Sequence, residues 1–316
     1  MKLAYLYTPS ELTPWKENVS MNALQFLKAY TPIHIETEIL EFTGFDDSLI
    51  EQLKQYDLIF NLSYGYHEAG QVEVAAWLEH HGIVHTASSV ESLSKAQDKS
   101  LLPDICWRLG FHTPPIYTSV HDLDDDRLYI SKPRKGRCHR NIAVENGFWM
   151  KNNTNAIGDD LIIQPYIVGR EFSVAVIPDE SGIGYVALPP MEIVSESNAT
   201  IFIAGQGFGK TFRHLEPVLS AFDRSQLMFQ ARKLHKYIGL KGMSRTDFRM
   251  SDDGTIYTLD VNAMPNMDPE KSLMPTLCIH HGVGIRELIT RLIANTIQFS
   301  EYVDPISINN KELLIS

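Results

Sequence analysis

Residues 244–264 read SRTDFRMSDDGTIYTLDVNAM, and this stretch restricts the chain most tightly. Two alternating runs, Ser244–Met250 and Thr255–Met264, flank Ser251-Asp252-Asp253-Gly254. Asp-Gly between alternating apolar residues is a strong hairpin signal, because glycine tolerates the positive φ of the turn. Side chains alternate faces along a strand. Arg245 and Asp247 therefore share a face, with Phe248 and Met250 alternating against them. On the second strand Thr258, Asp260 and Asn262 share a face, and Leu259 and Val261 oppose it. A two-residue loop at Asp252-Asp253 or at Asp253-Gly254 leaves Arg245, Asp247, Asp260 and Asn262 on a common face in either register. Carboxylates and an amide oxygen suit a hard divalent cation, which keeps phosphate oxygens in its shell. A guanidinium suits the phosphate itself. A solvated hairpin face with a surface ion pair would leave the same pattern, so the rest of the chain decides.

The 316 residues suffice for two or three domains with a substantial core. A hydrophobic fraction of 44% and a charged fraction of 21% suit a soluble globular enzyme. The net charge of −11 repels polyphosphate backbones and argues against a nucleic-acid partner. Three widely spaced cysteines, Cys106, Cys138 and Cys278, make no disulfide framework and fit a reducing cytoplasm. The opening MKLAYLYTPSELTPW has too short an apolar run for a signal peptide. No stretch reaches the roughly 18 apolar residues of a membrane span.

In chain order, strands are predicted at Leu3–Tyr7, Ile33–Leu40, Leu58–Ser63 and Ile83–His85. Helices at Val19–Tyr30, Asp46–Tyr56 and Val72–His80 alternate with them, a parallel α/β pattern. Ligands in such sheets sit beyond the carboxyl ends of strands, where the Tyr64–Gln71 loop lies. Ser89–Gly110 reads as helix, split at Pro103. Strand Leu128–Lys132 ends on a lysine and opens into Pro133-Arg134-Lys135-Gly136-Arg137-Cys138-His139-Arg140, a basic loop suited to covering phosphate. Strands follow at Leu161–Tyr166, Glu171–Ile177 and Tyr185–Val194, with helices at Gln226–Ile238 and Gly284–Ala294. The expected domains are 1–90, parallel α/β, 91–160, and 161–316 with a mobile loop at 195–213.

Gly205-Gln206-Gly207-Phe208-Gly209-Lys210-Thr211 is no P-loop. Its spacing is one residue short, and no clear helix follows. His80-His81 with His85, and His280-His281, make poor zinc sites because adjacent side chains point apart.

The order of these pieces resembles the ATP-grasp superfamily, and within it the D-alanine–D-alanine ligase branch, over nearly the whole chain. The resemblance is strongest at Gly239–Pro265, where GLKGMSRTDFRMSDDGTIYTLDVNAMP matches a strand–turn–strand with R-x-D and E-x-N-x-x-P. Gln71–Lys99 and Ile162–Val176 (IIQPYIVGREFSVAV) add to it. The resemblance implies an α/β (α+β) ATP-grasp fold, an N-terminal parallel α/β domain followed by two antiparallel-sheet domains clasping ATP. It also implies a carbon–nitrogen ligase: a carboxylate attacks the γ-phosphate, and an amine displaces phosphate from the acyl phosphate. The implied cofactors are ATP and Mg²⁺, with Mn²⁺ as a substitute. Asp247, Asp260 and Asn262 resemble the metal ligands, with Asp260 standing where the family has Glu. Arg245 resembles the residue that steadies the transferring phosphoryl group. Lys99, Lys132 and, from the mobile loop, Lys210 resemble the phosphate-binding lysines. Glu171 resembles the ribose-binding carboxylate, and Gln164, Tyr166 and Ile167 the hinge beside adenine. Ser272 and Leu273 resemble a substrate-carboxylate site, and Asn18 and Glu68 fall in the first-substrate region.

The departures concern substrate. Asn18-Val19-Ser20 replaces E-V-S, whose glutamate holds the first amino acid's ammonium, and a neutral amide cannot form that charged pair. Gly136-Arg137-Cys138 replaces G-S-S, IFIAGQGFGKTF replaces the F-Y-D-Y segment, and Asn266 replaces a glycine. Arg134, Lys135, Arg137 and Arg140 suit a larger or more acidic substrate, or only cover ATP. The expectation is a ligase joining an amino acid to a non-standard carboxylate. The alternatives are a D-alanine–D-alanine ligase of cell-wall synthesis and a catalytically inactive nucleotide-binding regulator. The expected partners are small-molecule carboxylate and amine substrates, with no nucleic acid and no membrane, in a cytoplasmic homodimer.

Overall fold

The computed structural model describes residues 1–10, 20–67, 70–135, 142–153, 160–195, 211–269 and 272–301. The first layer contains β1 (Lys2–Tyr7), α1 (Met21–Tyr30), β2 (Glu36–Glu41), α2 (Asp47–Leu53), β3 (Leu58–Leu62) and α3 (Gly70–His80). Its sheet is parallel and ordered β2-β1-β3. Successive residues of β1 serve two cores. Leu3 and Tyr5 pack with Leu24 and Leu27 of α1, whereas Ala4 and Leu6 pack with Ile50 and Leu53 of α2. A strand covered on both faces reads as a continuous apolar run. Ser20 and Asp46 accept hydrogen bonds from Ala23 N and Leu49 N and so fix where α1 and α2 begin. β2 starts later than predicted, because Ile35 N closes a turn onto Pro32 O and leaves Ile33 exposed. The predicted strand Ile83–His85 is reduced to a single parallel bridge between Ile59 and His85.

Two helices, α4 (Val90–Gln97) and α5 (Leu102–Leu109), lead to the second layer. Here Pro103 does not split the helix. It lies in the first turn of α5, where its missing N–H is harmless, and the break falls upstream at a short 3₁₀ turn, Lys99–Leu101. β4 (Leu128–Pro133), β5 (Ala143–Asn146), α6 (Gly147–Asn152) and β6 (Leu161–Pro165) follow. Their three strands form an antiparallel sheet ordered β5-β4-β6.

The third layer is a six-stranded sheet. It contains β7 (Arg170–Pro178), β8 (Tyr185–Ala187), β9 (Met191–Ser195) and β10 (Thr211–His214). After α7 (Ala221–Ile238) come β11 (Ser244–Met250) and β12 (Ile256–Asn262), then α8 (Leu273–His280) and α9 (Ile285–Glu301). The strand order is β10-β9-β7-β11-β12, with β8 also on β7. The predicted strand Tyr185–Val194 is two strands, because Pro189-Pro190 supplies no N–H to a ladder.

The β11–β12 hairpin departs from both predicted turns. Its loop is three residues, Asp252–Gly254, closed by Ser251 N to Thr255 O at 3.0 Å and Gly254 N to Ser251 O at 2.9 Å. Gly254 takes a φ of +84°. That loop, continued without interruption, would set Asp247 opposite Leu259 and turn Asp260 to the other face. A bulge at Leu259 corrects this: Phe248 pairs with Thr258, but Asp247 pairs with Asp260 and Arg245 with Asn262. Thr258 consequently does not share the face of Asp260, as alternation alone predicts; it is fully buried on the other side of the bulge.

Gly169, between β6 and β7, touches the end of this hairpin. A Cβ there would lie 2.0 Å from Met250 O, and φ is +146°. Gly169→Ala is expected to cost about 2 kcal/mol or more in urea unfolding. Gly254→Ala, with nothing within 4 Å of its Cβ, is expected to cost about 1 kcal/mol.

Candidate active site

The bulge decides which groups meet. Arg245 Nε and Nη2 donate to Asp247 Oδ1 and Oδ2 at 2.9 and 2.8 Å, a fork on both carboxylate oxygens. Ser173, opposite Asp247 on β7, donates to Oδ1 at 2.6 Å. Lys99 Nζ lies 3.8 Å from Asp260 Oδ1. Lys132, at the end of β4, donates to the Leu259 carbonyl at 3.1 Å, so the bulged residue holds the lysine of the neighbouring sheet. The Asn262 amide oxygen accepts from Met264 N at 3.1 Å.

The face is rich in cations. Burial pushes the Lys132 ammonium down to about 8; Asp260 pulls it up and Lys99 pushes it down. Burial also works against the Arg245 charge, but Asp247 outweighs it and holds the guanidinium above its ordinary range. Arg245, Lys99 and Lys132 thus stand around two opposed carboxylates, an arrangement suited to polyphosphate and a metal ion. A hard divalent cation fits the all-oxygen donor set of Asp247, Asp260 and Asn262.

Lys99 is anchored to the start of the basic loop. Its backbone N–H donates to Arg134 O at 3.0 Å. Arg134 in turn forks onto Asp98, with Nε–Oδ1 at 2.7 Å and Nη2–Oδ2 at 2.5 Å. Burial pushes the Asp98 carboxyl up, yet Arg134 and Ser100 outweigh burial and hold it at about 2. A carboxyl held below its unfolded value stabilises the fold above pH about 4 and loses that contribution as pH falls towards 2. Asp98→Asn is expected to lower stability by about 1 kcal/mol at pH 7, allowing for the half-exposed Arg134, and to match wild type near pH 2. Denaturant titrations at the two pH values measure this.

Farther along β7 and β11, Arg249 gathers the segment around Glu171. It donates to Tyr166 Oη at 2.5 Å, to Ile167 O at 3.1 Å and to the Glu171 carboxylate. Gln164 is buried and gives its Nε2 to Pro114 O at 2.8 Å. Ser272 caps α8 and donates its hydroxyl to Asn266 O, and Leu273 begins that helix. Asn18, Glu68 and Lys210 lie outside the described residues, as does the basic loop from Gly136 to Arg140.

Residues 150–294 match the model of the D-ala D-ala ligase C-terminus. A D-alanine–D-alanine ligase of Psychrobacter sp. (strain PRwf-1) is 25% identical over 284 residues, covering 83% of this chain and 81% of the relative. One from Wolbachia pipientis wMel is 27% identical over 275 residues, covering 82% and 84%. The crystal structure of the Bacillus anthracis D-alanine–D-alanine ligase complexed with ATP superposes with a TM-score of 0.75 at 20% identity, covering 96% of this chain and 99% of that one. The chain has the ATP-grasp fold and is similar to the D-alanine–D-alanine ligases over about four-fifths of its length.

In this chain Lys99 and Lys132 meet the hairpin residues around Asp260 and Leu259, and Glu171 lies farther along beside the Tyr166–Ile167 segment. Sequence reasoning missed Ser173 and Arg249. Arg249 has the parity of Arg245 and Asp247, a signal that strand alternation offers. Ser173 is revealed only by the register of β7 against β11.

Proposed function

We propose that this enzyme joins two D-alanine-type amino acids, with ATP and Mg²⁺ as cofactors and ADP and phosphate as by-products. The carrying observation is the register that opposes Asp247 to Asp260 and Arg245 to Asn262, with Lys99 and Lys132 reaching in from the neighbouring layer. When bound, Mg²⁺ would be held by Asp247, Asp260 and Asn262 and would screen phosphate charge. Arg245 neutralises charge on the phosphoryl group as the substrate carboxylate attacks, and Lys99 and Lys132 hold the remaining phosphate oxygens. Phosphoryl transfer is mostly positioning and charge neutralisation, which these groups supply. Glu171 and the Tyr166–Ile167 hinge take the nucleoside, and Ser272 with Leu273 the second substrate's carboxylate.

Relatives named D-alanine–D-alanine ligases, matched across more than four-fifths of the chain, support D-alanine over the non-standard carboxylate expected from the departures. Asn18 still favours a second possibility, a first substrate without a glutamate-bound ammonium. An inactive regulator fits poorly with the presence of Arg245, Asp247, Asp260 and Asn262 together. The division at 90 and 160, a homodimer and a cytoplasmic location belong to the same proposal; residues 196–210 of the expected mobile loop lie outside the described residues. Among the described residues no helix is long and apolar enough to cross a membrane.

The test is phosphate release from Mg–ATP over a panel of D- and L-amino acids and larger carboxylates, with mass spectrometry of products. D-alanine-dependent release with D-alanyl-D-alanine as product is expected. Release only with another carboxylate would select the second possibility.

A further inference from the structure

Arg245, Asp247 and Arg249 are alternate residues on one face of β11. Two residues along a strand span about 7 Å, so the face runs in order from phosphate-neutralising Arg245, through metal-binding Asp247, to Arg249. Arg249 stands beside Glu171, its cross-strand partner on β7, and beside the Tyr166–Ile167 hinge. One guanidinium therefore ties three groups from two strand ends. It takes the Tyr166 hydroxyl, the Ile167 carbonyl and the Glu171 carboxylate, and its carbon lies 4.9 Å from the centre of the Tyr166 ring. The residue is only 7% exposed, and its Nε is buried with no hydrogen-bond partner among the described residues. A buried donor without an acceptor is costly, and each such group calls for an explanation.

We propose that Arg249 is a nucleoside-binding residue that sets the affinity for ATP at the base-and-ribose end of the cleft. Its Nε–H is the donor for an acceptor atom of the nucleoside, and its pair with Glu171 fixes that carboxylate where ribose hydroxyls approach. This deepens the ligase reading above and rests on it. Arg249 bonds Tyr166, Ile167 and Glu171 and not the carboxylates of the phosphate end, so it governs binding more than turnover. A planar fork also cannot be replaced by an ammonium, which lacks the Nε donor and the two-sided geometry.

The experiment is titration calorimetry of the full chain with Mg–ADP and with a non-hydrolysable Mg–ATP analogue, for wild type, Arg249→Met and Arg249→Lys. Thermal melts without nucleotide identify any variant that does not fold. Arg249→Lys keeps a cation against Glu171 and is the variant to rely on if Arg249→Met unfolds. The expected result is a Kd raised about tenfold or more in Arg249→Met and severalfold in Arg249→Lys, equally for both nucleotides. Steady-state kinetics should show KM for ATP raised and kcat nearly unchanged at saturation. A wild-type Kd in a folded variant would overturn the inference while leaving the ligase reading intact. No nucleotide binding by the wild-type chain would overturn both.

Discussion

Asp260→Asn is expected to lower turnover about a thousandfold while leaving the fold in place. The substitution keeps the size of the side chain and removes one of two opposed negative charges. Asp260 is about one-third exposed, and its ion pair with Lys99, at 3.8 Å, is too loose to carry the hairpin. A stability change under about 1 kcal/mol is expected from thermal or urea unfolding. The loss should therefore appear in kcat and in Mg²⁺ dependence, with the curve shifted to higher metal concentration. Wild-type activity in Asp260→Asn would remove this residue from the metal site.

Arg245→Met acts on activity and fold together. Its guanidinium is largely buried and makes both hydrogen bonds of a fork to Asp247. Removing it takes the fork from Asp247, which keeps its bond from Ser173, a change expected to cost about 3 kcal/mol. Catalysis should fall by a factor of about a thousand or more, because an arginine on a transferring phosphoryl group is worth that much where it has been removed. Arg245→Lys separates the two effects. It should return much of the stability and little of the activity, since an ammonium supplies charge without a fork. Single-turnover kinetics beside denaturant titration give both quantities. Full activity in Arg245→Lys would show that charge alone suffices there.

The residues of the hairpin face were legible in the sequence because strand alternation is a strict two-residue period. The way the hairpin achieves that face was not. Nothing in Ser251–Thr255 distinguishes a two-residue from a three-residue loop, and nothing around Leu259 announces a bulge. The longer loop and the bulge offset one another between Asp247 and Asp260, so the predicted common face agrees with the observed one although Thr258 does not. Parallel strands and their helices were legible as apolar runs separated by turns, whereas Ile83–His85 failed because one apolar pair cannot specify a strand without knowing its neighbour. The ion pairs that shape the site were not legible at all. Arg134 and Asp98 are 36 residues apart, and Arg249 and Glu171 are 78 apart. Such contacts follow from topology, not from local pattern. Substrate choice is hardest of all, because one amide in place of a carboxylate at Asn18 changes a charge that residues elsewhere in the fold can restore.

The most direct measurement follows one oxygen atom. The enzyme is supplied with Mg–ATP and D-alanine carrying oxygen-18 in its carboxylate, and the released phosphate is examined by mass spectrometry. Attack of the carboxylate on the γ-phosphorus makes a carbon–oxygen–phosphorus bridge, and the amine then breaks the carbon–oxygen bond. The phosphate that leaves should carry one labelled oxygen, and the dipeptide should retain one fewer from the donor residue. Phosphate released without label would contradict an acyl-phosphate ligase built on Arg245, Asp247 and Asp260.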